Sequence, residues 1–140
     1  MEGHLEVEEI HRFQNPPIKV FDTLRWDVLR IFDELKNGLR KVAALGYPIE
    51  SVSVDSWGVD YVYLRGEEPL LTLPYNYRDP RTDGALEKAF ALVPPDVIYS
   101  ETGIQFMQIN TLYQLLDDLK HRREILELSD QCLNIADYFN

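Results

Sequence analysis

The sequence feature that most constrains the fold is a stretch between residues 25 and 45 in which apolar side chains recur every three or four positions. This spacing places them on one face of an α-helix. Asp22 or Thr23 can cap the start of that helix. Gly46 can take the left-handed conformation that ends helices, and Pro48 blocks continuation. The side chains of the apolar face are Trp26, Leu29, Phe32, Leu35, Leu39 and Val42.

Strand-like segments lie on both sides of this helix. The predicted strands are residues 4–13, 50–55, 59–65 and 70–73. Residues 65–68 are typical of a turn, and the last strand is predicted to be an edge strand because Pro69 and Pro74 bracket it. The order of strand, long helix, strand and hairpin indicates an α/β or α+β domain with mixed strands.

The second half of the chain is predicted to be mainly helical. Residues 86–93 carry a helical apolar stripe, and residues 95–101 form a short helix after Pro94. Thr111 and Gln114 have capping-box spacing, which predicts a helix over residues 112–123. The tail is apolar and stops at Asn140, which we interpret as the end of a truncated chain.

Composition excludes several classes of function. The chain has 140 residues and a formal net charge of −10, which disfavours binding to nucleic acid or to an anionic membrane surface. No apolar run approaches the roughly 20 residues of a membrane span, and the acidic N-terminus is not a signal peptide. Cys132 is the only cysteine. We expect a small core residue there, no zinc site and a reducing, cytoplasmic location.

The segment Asp55-Ser56-Trp57-Gly58-Val59-Asp60 is the first candidate site. It follows a strand, where the loops of α/β proteins often bind ligands. An indole can cover the apolar face of a sugar, a glycine permits close approach, and carboxylates and hydroxyls can hydrogen-bond to its hydroxyl groups. The alternative is structural: Trp57 is a core residue, Gly58 a bulge and Asp60 a turn or edge residue.

Two further polar clusters are candidates. Arg78 and Asp79, with Arg81 and Asp83, either line a cleft or form a capped helix start with an internal ion pair. The amides of a third cluster suit sugar hydroxyls, although a solvated loop explains them nearly as well. That cluster is Gln105, Gln108 and Asn110. The sequence has neither a GxxxxGK[ST] nor a GxGxxG phosphate loop, and no serine nucleophile elbow.

Three segments resemble those of the FGGY carbohydrate kinases, in the branch that phosphorylates L-rhamnulose. They are VSVDSWGVDYVYL, YNYRDPRTDG and TGIQFMQINTLYQLL, and they occur in the same order. The resemblance extends to nearly the whole chain. It implies that residues 1–140 form an incomplete ribonuclease-H-like, actin-like N-terminal domain with a mixed sheet packed against helices. It also implies phosphoryl transfer from ATP, with Mg²⁺, to the 1-hydroxyl of a ketose.

The resemblance implies site residues as well. Gly58 matches the sugar-contacting glycine of the family, and Trp57, Val59 and Asp60 would line the same pocket. The remaining matches near the cleft are Arg78, Asp79, Gln105 and Asn110. The family's phosphate-loop strand, its catalytic aspartate and its C-terminal ATP domain have no counterpart in these residues. We therefore expect no catalytic residue, no metal ligand, no tight ATP or Mg²⁺ binding and no activity from this chain alone.

Other functions stay open at this point. Another FGGY kinase, for fuculose or xylulose, would share most of these features. A non-catalytic sugar-binding or interaction module would share the pocket without the chemistry. The missing first strands are also expected to leave an open sheet edge through which copies of the chain could associate.

Overall fold

The computed structural model describes residues 3–4, 6–66 and 72–140. Four short strands and six helices follow one another, with a 3₁₀ turn at Pro80–Thr82. The strands are β1 (Ile18–Val20), β2 (Thr23–Arg25), β3 (Tyr61–Leu64) and β4 (Gln131–Asn134). The helices are α1 (Val28–Ala44), α2 (Ala85–Phe90), α3 (Pro95–Thr102), α4 (Thr111–His121), α5 (Arg123–Leu128) and α6 (Ile135–Phe139). The mixture of helices and strands confirms the predicted class.

The strands form two separate antiparallel pairs. β1 and β2 form a hairpin, whereas β3 pairs with β4, so that Tyr61 lies opposite Asn134. The described residues therefore contain two two-stranded sheets and not the single mixed sheet that was expected. The β3–β4 pair brings the C-terminal tail against the segment that follows Gly58.

The predicted helix is confirmed as α1, but it begins later than predicted and much of its predicted apolar face is exposed. The Asp27 side chain accepts a hydrogen bond from the backbone N–H of Arg30 at 3.1 Å and caps the helix. Asp22 and Thr23 cannot serve as caps because they lie in the β1–β2 hairpin. Gly46 follows the helix with a φ of 74°, as predicted.

Two strand predictions are wrong. The described part of residues 4–13 and all of residues 50–55 have no regular secondary structure. Alternation of apolar and polar residues specifies two faces, but a strand also needs a neighbour that exchanges backbone hydrogen bonds with it. The backbone N–H of Val54 donates instead to the Asn140 side chain. The turn at 65–68 is described only to Gly66. Residues 70 and 71 of the predicted 70–73 strand lie outside the described residues, and residues 72 and 73 are not in a strand.

The main core joins distant parts of the chain. Trp26, Val28, Val62 and Ile135 are buried together, and Ile135 is fully inaccessible. A smaller cluster packs α2 against α4 through Ala85, Ala89 and Tyr113.

The prediction that Cys132 is a core residue is wrong, since this residue of β4 is exposed. Across the described ranges, no helix combines the length and apolar character needed to cross a membrane.

Candidate functional site

A cavity of about 510 Å³ opens where four segments of the chain meet. Its volume is typical of small-molecule sites. Residues 56–59 contribute one part of the lining, which we call the turn wall, and the segment from Gln105 to Asn110 contributes another, which we call the amide wall. Parts of α3, α4 and α6 complete the lining. The polar residues among those that line it are Ser56, Thr102, Gln105, Asn110, Thr111, Asn134 and Asp137.

The structure brings together five of the eight residues predicted for the site. Trp57, Gly58 and Val59 lie on the turn wall, and Gln105 and Asn110 lie on the amide wall. The Asn110 side-chain N–H donates to the backbone oxygen of Gln105 at 2.8 Å, which fixes the shape of the amide wall. Trp57 and two residues with amide side chains therefore line one cavity.

Gly58 leaves the floor of the cavity open. No heavy atom outside its immediate chain neighbours lies within 4 Å of where a Cβ would sit. The φ of Gly58 is outside the left-handed region, so larger residues can adopt this backbone conformation. A side chain added here would occupy free space rather than disturb the packing.

Val59 has an unusual backbone conformation at the cavity surface. Its φ of 72° is left-handed, which is uncommon for a β-branched residue. The backbone N–H of Asp60 donates to the oxygen of Gly58 at 3.0 Å, so Val59 is the centre of a three-residue γ-turn of the strained kind. Such a conformation persists only when neighbouring contacts hold it.

Asp60 lies beneath the cavity and does not line it. Its carboxylate is fully buried and accepts hydrogen bonds from the indole N–H groups of Trp26 at 2.5 Å and Trp57 at 2.9 Å. The amide of Gln114 and the backbone of Tyr77 donate to it as well. Burial raises the pKa of Asp60, and these hydrogen bonds act in the opposite direction. Asp60 thus holds the indole of Trp57 in place rather than facing a ligand.

Arg78 and Asp79 do not line the cavity either. Asp79 is buried, and its carboxylate accepts from the backbone N–H of Leu24 at 2.6 Å and from that of Arg81 at 3.0 Å. It therefore caps the 3₁₀ turn and ties it to β2, in agreement with the structural alternative. Arg78 is exposed, with its guanidinium 5.5 Å from the ring centroid of Tyr77.

A buried ionic cluster around Asp118 was not predicted. The Asp118 carboxylate accepts from the hydroxyls of Tyr61 at 2.5 Å and Tyr63 at 2.9 Å, and from Arg81 at 2.5 Å. Burial is the largest influence on Arg81 and opposes its charge, but Asp118 and Tyr61 together outweigh burial, so the pKa of the guanidinium lies above its ordinary value. Arg81 therefore pairs with a carboxylate of α4. The alternative of an ion pair within its own sequence cluster is wrong.

The capping-box prediction for Thr111 and Gln114 is also wrong. Asn110 is the cap residue of α4. The side chains of Thr111 and Gln114 instead contact the backbone of Val59, just before β3. The Thr111 hydroxyl donates to the backbone oxygen of Val59 at 2.9 Å. The Gln114 amide donates to the same oxygen at 3.2 Å. These contacts hold the strained turn.

Two polar cavity residues come from the tail, which the sequence analysis treated only as apolar. Asn134 ends β4 and Asp137 lies in α6, and they add an amide and a carboxylate to the lining. An asparagine directly before a helix and a lone aspartate in an apolar stretch were available signals, but nothing local tied them to Gly58. Within residues 3–4, 6–66 and 72–140, no group of three or more His, Cys, Asp or Glu residues could hold a metal ion.

The fold is similar to part of two solved sugar kinases. Superposition on a gluconate kinase from Lactobacillus acidophilus gives a TM-score of 0.77 at 20% identity, covering 89% of this chain and 26% of that chain. A ligand-bound xylulose kinase from the same organism gives the same values. At this level of identity the similarity establishes the fold alone. No protein-family model matches the chain.

The curated relatives that the chain resembles in sequence are rhamnulokinases. The chain is 39% identical over 138 residues to the rhamnulokinase of Oceanobacillus iheyensis and 42% identical over 136 residues to that of Klebsiella pneumoniae subsp. pneumoniae. The Bacteroides thetaiotaomicron enzyme is 40% identical over 137 residues. These alignments include 97–99% of this chain but only 28–29% of the relatives. The predicted resemblance to carbohydrate kinases is confirmed.

Proposed function

We propose that this chain forms part of the sugar-binding domain of an ATP-dependent kinase that converts L-rhamnulose to L-rhamnulose 1-phosphate in cytoplasmic rhamnose catabolism. The observation that carries the proposal is the cavity between the turn wall and the amide wall, in a chain whose relatives are rhamnulokinases. The domain would be the ribonuclease-H-like, actin-like N-terminal domain of the intact enzyme.

The chemistry of the cavity suits a neutral polyol. The ring of Trp57 offers an apolar surface to the C–H face of a sugar, and the open floor at Gly58 lets that sugar approach the backbone. Amide groups of Gln105 and Asn110 can both donate to and accept from hydroxyl groups. Asp137 adds a carboxylate acceptor to the lining.

Phosphoryl transfer needs more than these residues provide. It requires a base for the attacking hydroxyl and groups that stabilise the charged phosphoryl oxygens. We assign ATP and Mg²⁺ binding to parts of the intact kinase outside this chain and expect no ATP turnover by the 140 residues alone. We also propose that an open sheet edge favours self-association of the isolated chain, which sedimentation at increasing concentration can test.

A different sugar is the second candidate. The structural similarity to gluconate and xylulose kinases shows that this fold accommodates other substrates in those proteins. Phosphorylation of L-rhamnulose, L-fuculose and D-xylulose by the complete gene product separates these alternatives. The proposal expects L-rhamnulose to give the highest kcat/KM.

Replacing Gly58 with leucine in the complete gene product is expected to raise the KM for L-rhamnulose about tenfold or more. The new side chain fills the free space beside Gly58 in the cavity and displaces the sugar. The KM rises because contacts between the protein and the sugar are lost. Steady-state kinetics at saturating ATP measures the KM, and the midpoint temperature of thermal unfolding should stay close to that of the wild type.

Gly3→Leu is the matched control, because a Cβ at Gly3 also meets no atom within 4 Å and Gly3 does not line the cavity. An unchanged KM in Gly58→Leu would remove Gly58 from the sugar site. A raised KM in both variants would show a nonspecific effect and contradict the assignment equally.

A further inference from the structure

We propose that Gln114 is a positioning residue that sets the distance between the turn wall and the amide wall of the cavity. This inference rests on the proposed function in one respect, namely that the ligand is a sugar. Gln114 lies on α4 and is 1% exposed, so it cannot contact a ligand itself. Its effect on binding must pass through the groups that it holds.

The amide nitrogen of Gln114 contacts both walls at once. It donates to the backbone oxygen of Ile109, in the amide wall, at 2.9 Å. It also lies 3.2 Å from the backbone oxygen of Val59, in the turn wall, and 3.0 Å from the carboxylate of Asp60. A single buried side-chain group therefore links two segments that are 50 residues apart in sequence.

The orientation of this amide is fixed by charge. Its oxygen accepts from the guanidinium of Arg81 at 2.8 Å, while its nitrogen faces the carboxylate of Asp60. A flipped amide would turn its oxygen toward that carboxylate and its N–H groups toward the cation. Because Arg81 is itself held by Asp118, the position of the cavity walls depends on the buried ionic cluster.

The strain at Val59 explains why such a contact is needed. A β-branched residue with a φ of 72° tends to relax toward extended backbone, which would move the carbonyl of Val59. Gln114 and the hydroxyl of Thr111 both donate to that carbonyl and oppose the movement. Loss of either donor should let the turn wall shift and change its fit to a ligand.

Gln114→Met and Gln114→Glu in the 140-residue chain test the proposal. We expect Gln114→Met to displace the backbone amide signals of Val59 and Asn110 in the ¹H–¹⁵N spectrum without sugar. Titration with L-rhamnulose should show a Kd raised about tenfold, comparable to the loss of one buried hydrogen bond. Gln114→Glu should bind L-rhamnulose still more weakly than Gln114→Met at pH 7. Its affinity relative to that of the wild type should improve at pH 5, where a protonated carboxyl group regains one donor.

Two further variants make the result decisive. Gln131→Met is the matched control, since Gln131 is exposed on β4 and does not line the cavity. Thr111→Val removes the other donor to Val59 without touching Asp60 or Arg81, and only its amide signals are compared because Thr111 itself lines the cavity. Gln114→Glu replaces Gln114→Met if that variant does not fold. The proposal is overturned if Val59 and Asn110 signals stay in place and the Kd stays within about twofold of wild type. If the wild-type chain binds no sugar while the signals still move, the sugar function fails and the positioning role stands.

Discussion

Replacing Asp118 with leucine is expected to lower the free energy of unfolding by about 3–5 kcal/mol, the usual cost of leaving a buried charge without its partner. The Arg81 side chain is only 9% exposed and would lose the carboxylate that lies 2.5 Å from it. The hydroxyls of Tyr61 and Tyr63 would lose their acceptor in the same step. Urea unfolding followed by circular dichroism measures the change.

Asp117→Leu is the matched control because Asp117 adjoins Asp118 and also faces Arg81. It lies farther away, at 3.6 Å, and is more exposed, so we expect a loss of about 1 kcal/mol or less. Similar losses for the two variants would contradict the assignment of Asp118 as the partner that stabilises Arg81.

Replacing Asp60 with leucine is expected to lower the free energy of unfolding by about 2–4 kcal/mol, because several buried donors lose their acceptor. The donors that depend on it most are the indoles of Trp26 and Trp57 and the amide of Gln114. Urea unfolding measures the loss, and indole fluorescence reports the change around Trp57. Asp55→Leu is the control, since Asp55 is exposed and bonds only to the neighbouring backbone.

The pH dependence gives Asp60 a second signature. Because burial raises its pKa, the folded chain holds this proton more tightly than the unfolded chain, whose ordinary value is 3.8. The stabilising contribution of protonation is therefore complete below that ordinary value and is lost as pH rises through the raised one. Wild type should lose stability relative to Asp60→Asn across this range. A stability difference that is flat with pH, or a loss below about 1 kcal/mol in Asp60→Leu, would contradict a buried carboxylate that serves as the shared acceptor of these donors.

The parts of the fold that the sequence predicts are those determined by local spacing. Helix α1 follows from its apolar repeat, and Gly46 and Pro95 mark the boundaries of helices where they were expected. Residues 50–55 show the limit of this reasoning. Their alternation is typical of a strand, yet no neighbouring strand pairs with them among the described residues, and pairing depends on distant segments.

The residues of the candidate site also differ in whether local sequence predicts their position. Trp57, Gly58 and Asn110 could be predicted because residue type alone suggests sugar contacts, and the structure places them around one cavity. Asp60 shares their chemistry but turns inward to accept from two indoles. The direction of the Asp60 carboxylate depends on donors such as Trp26 and Gln114, which are 34 and 54 residues away in sequence. No local sequence pattern reveals it.

The most direct test of the account is a titration of the isotope-labelled 140-residue chain with L-rhamnulose, followed by ¹H–¹⁵N spectra. We predict saturable shifts centred on Gly58, Val59 and the side-chain amides of Gln105 and Asn110, together with the indole signal of Trp57. The loop near Tyr47, which does not line the cavity, should not respond. Absence of any saturable shift, or shifts centred away from the two walls, would contradict the assignment of this cavity as a sugar site.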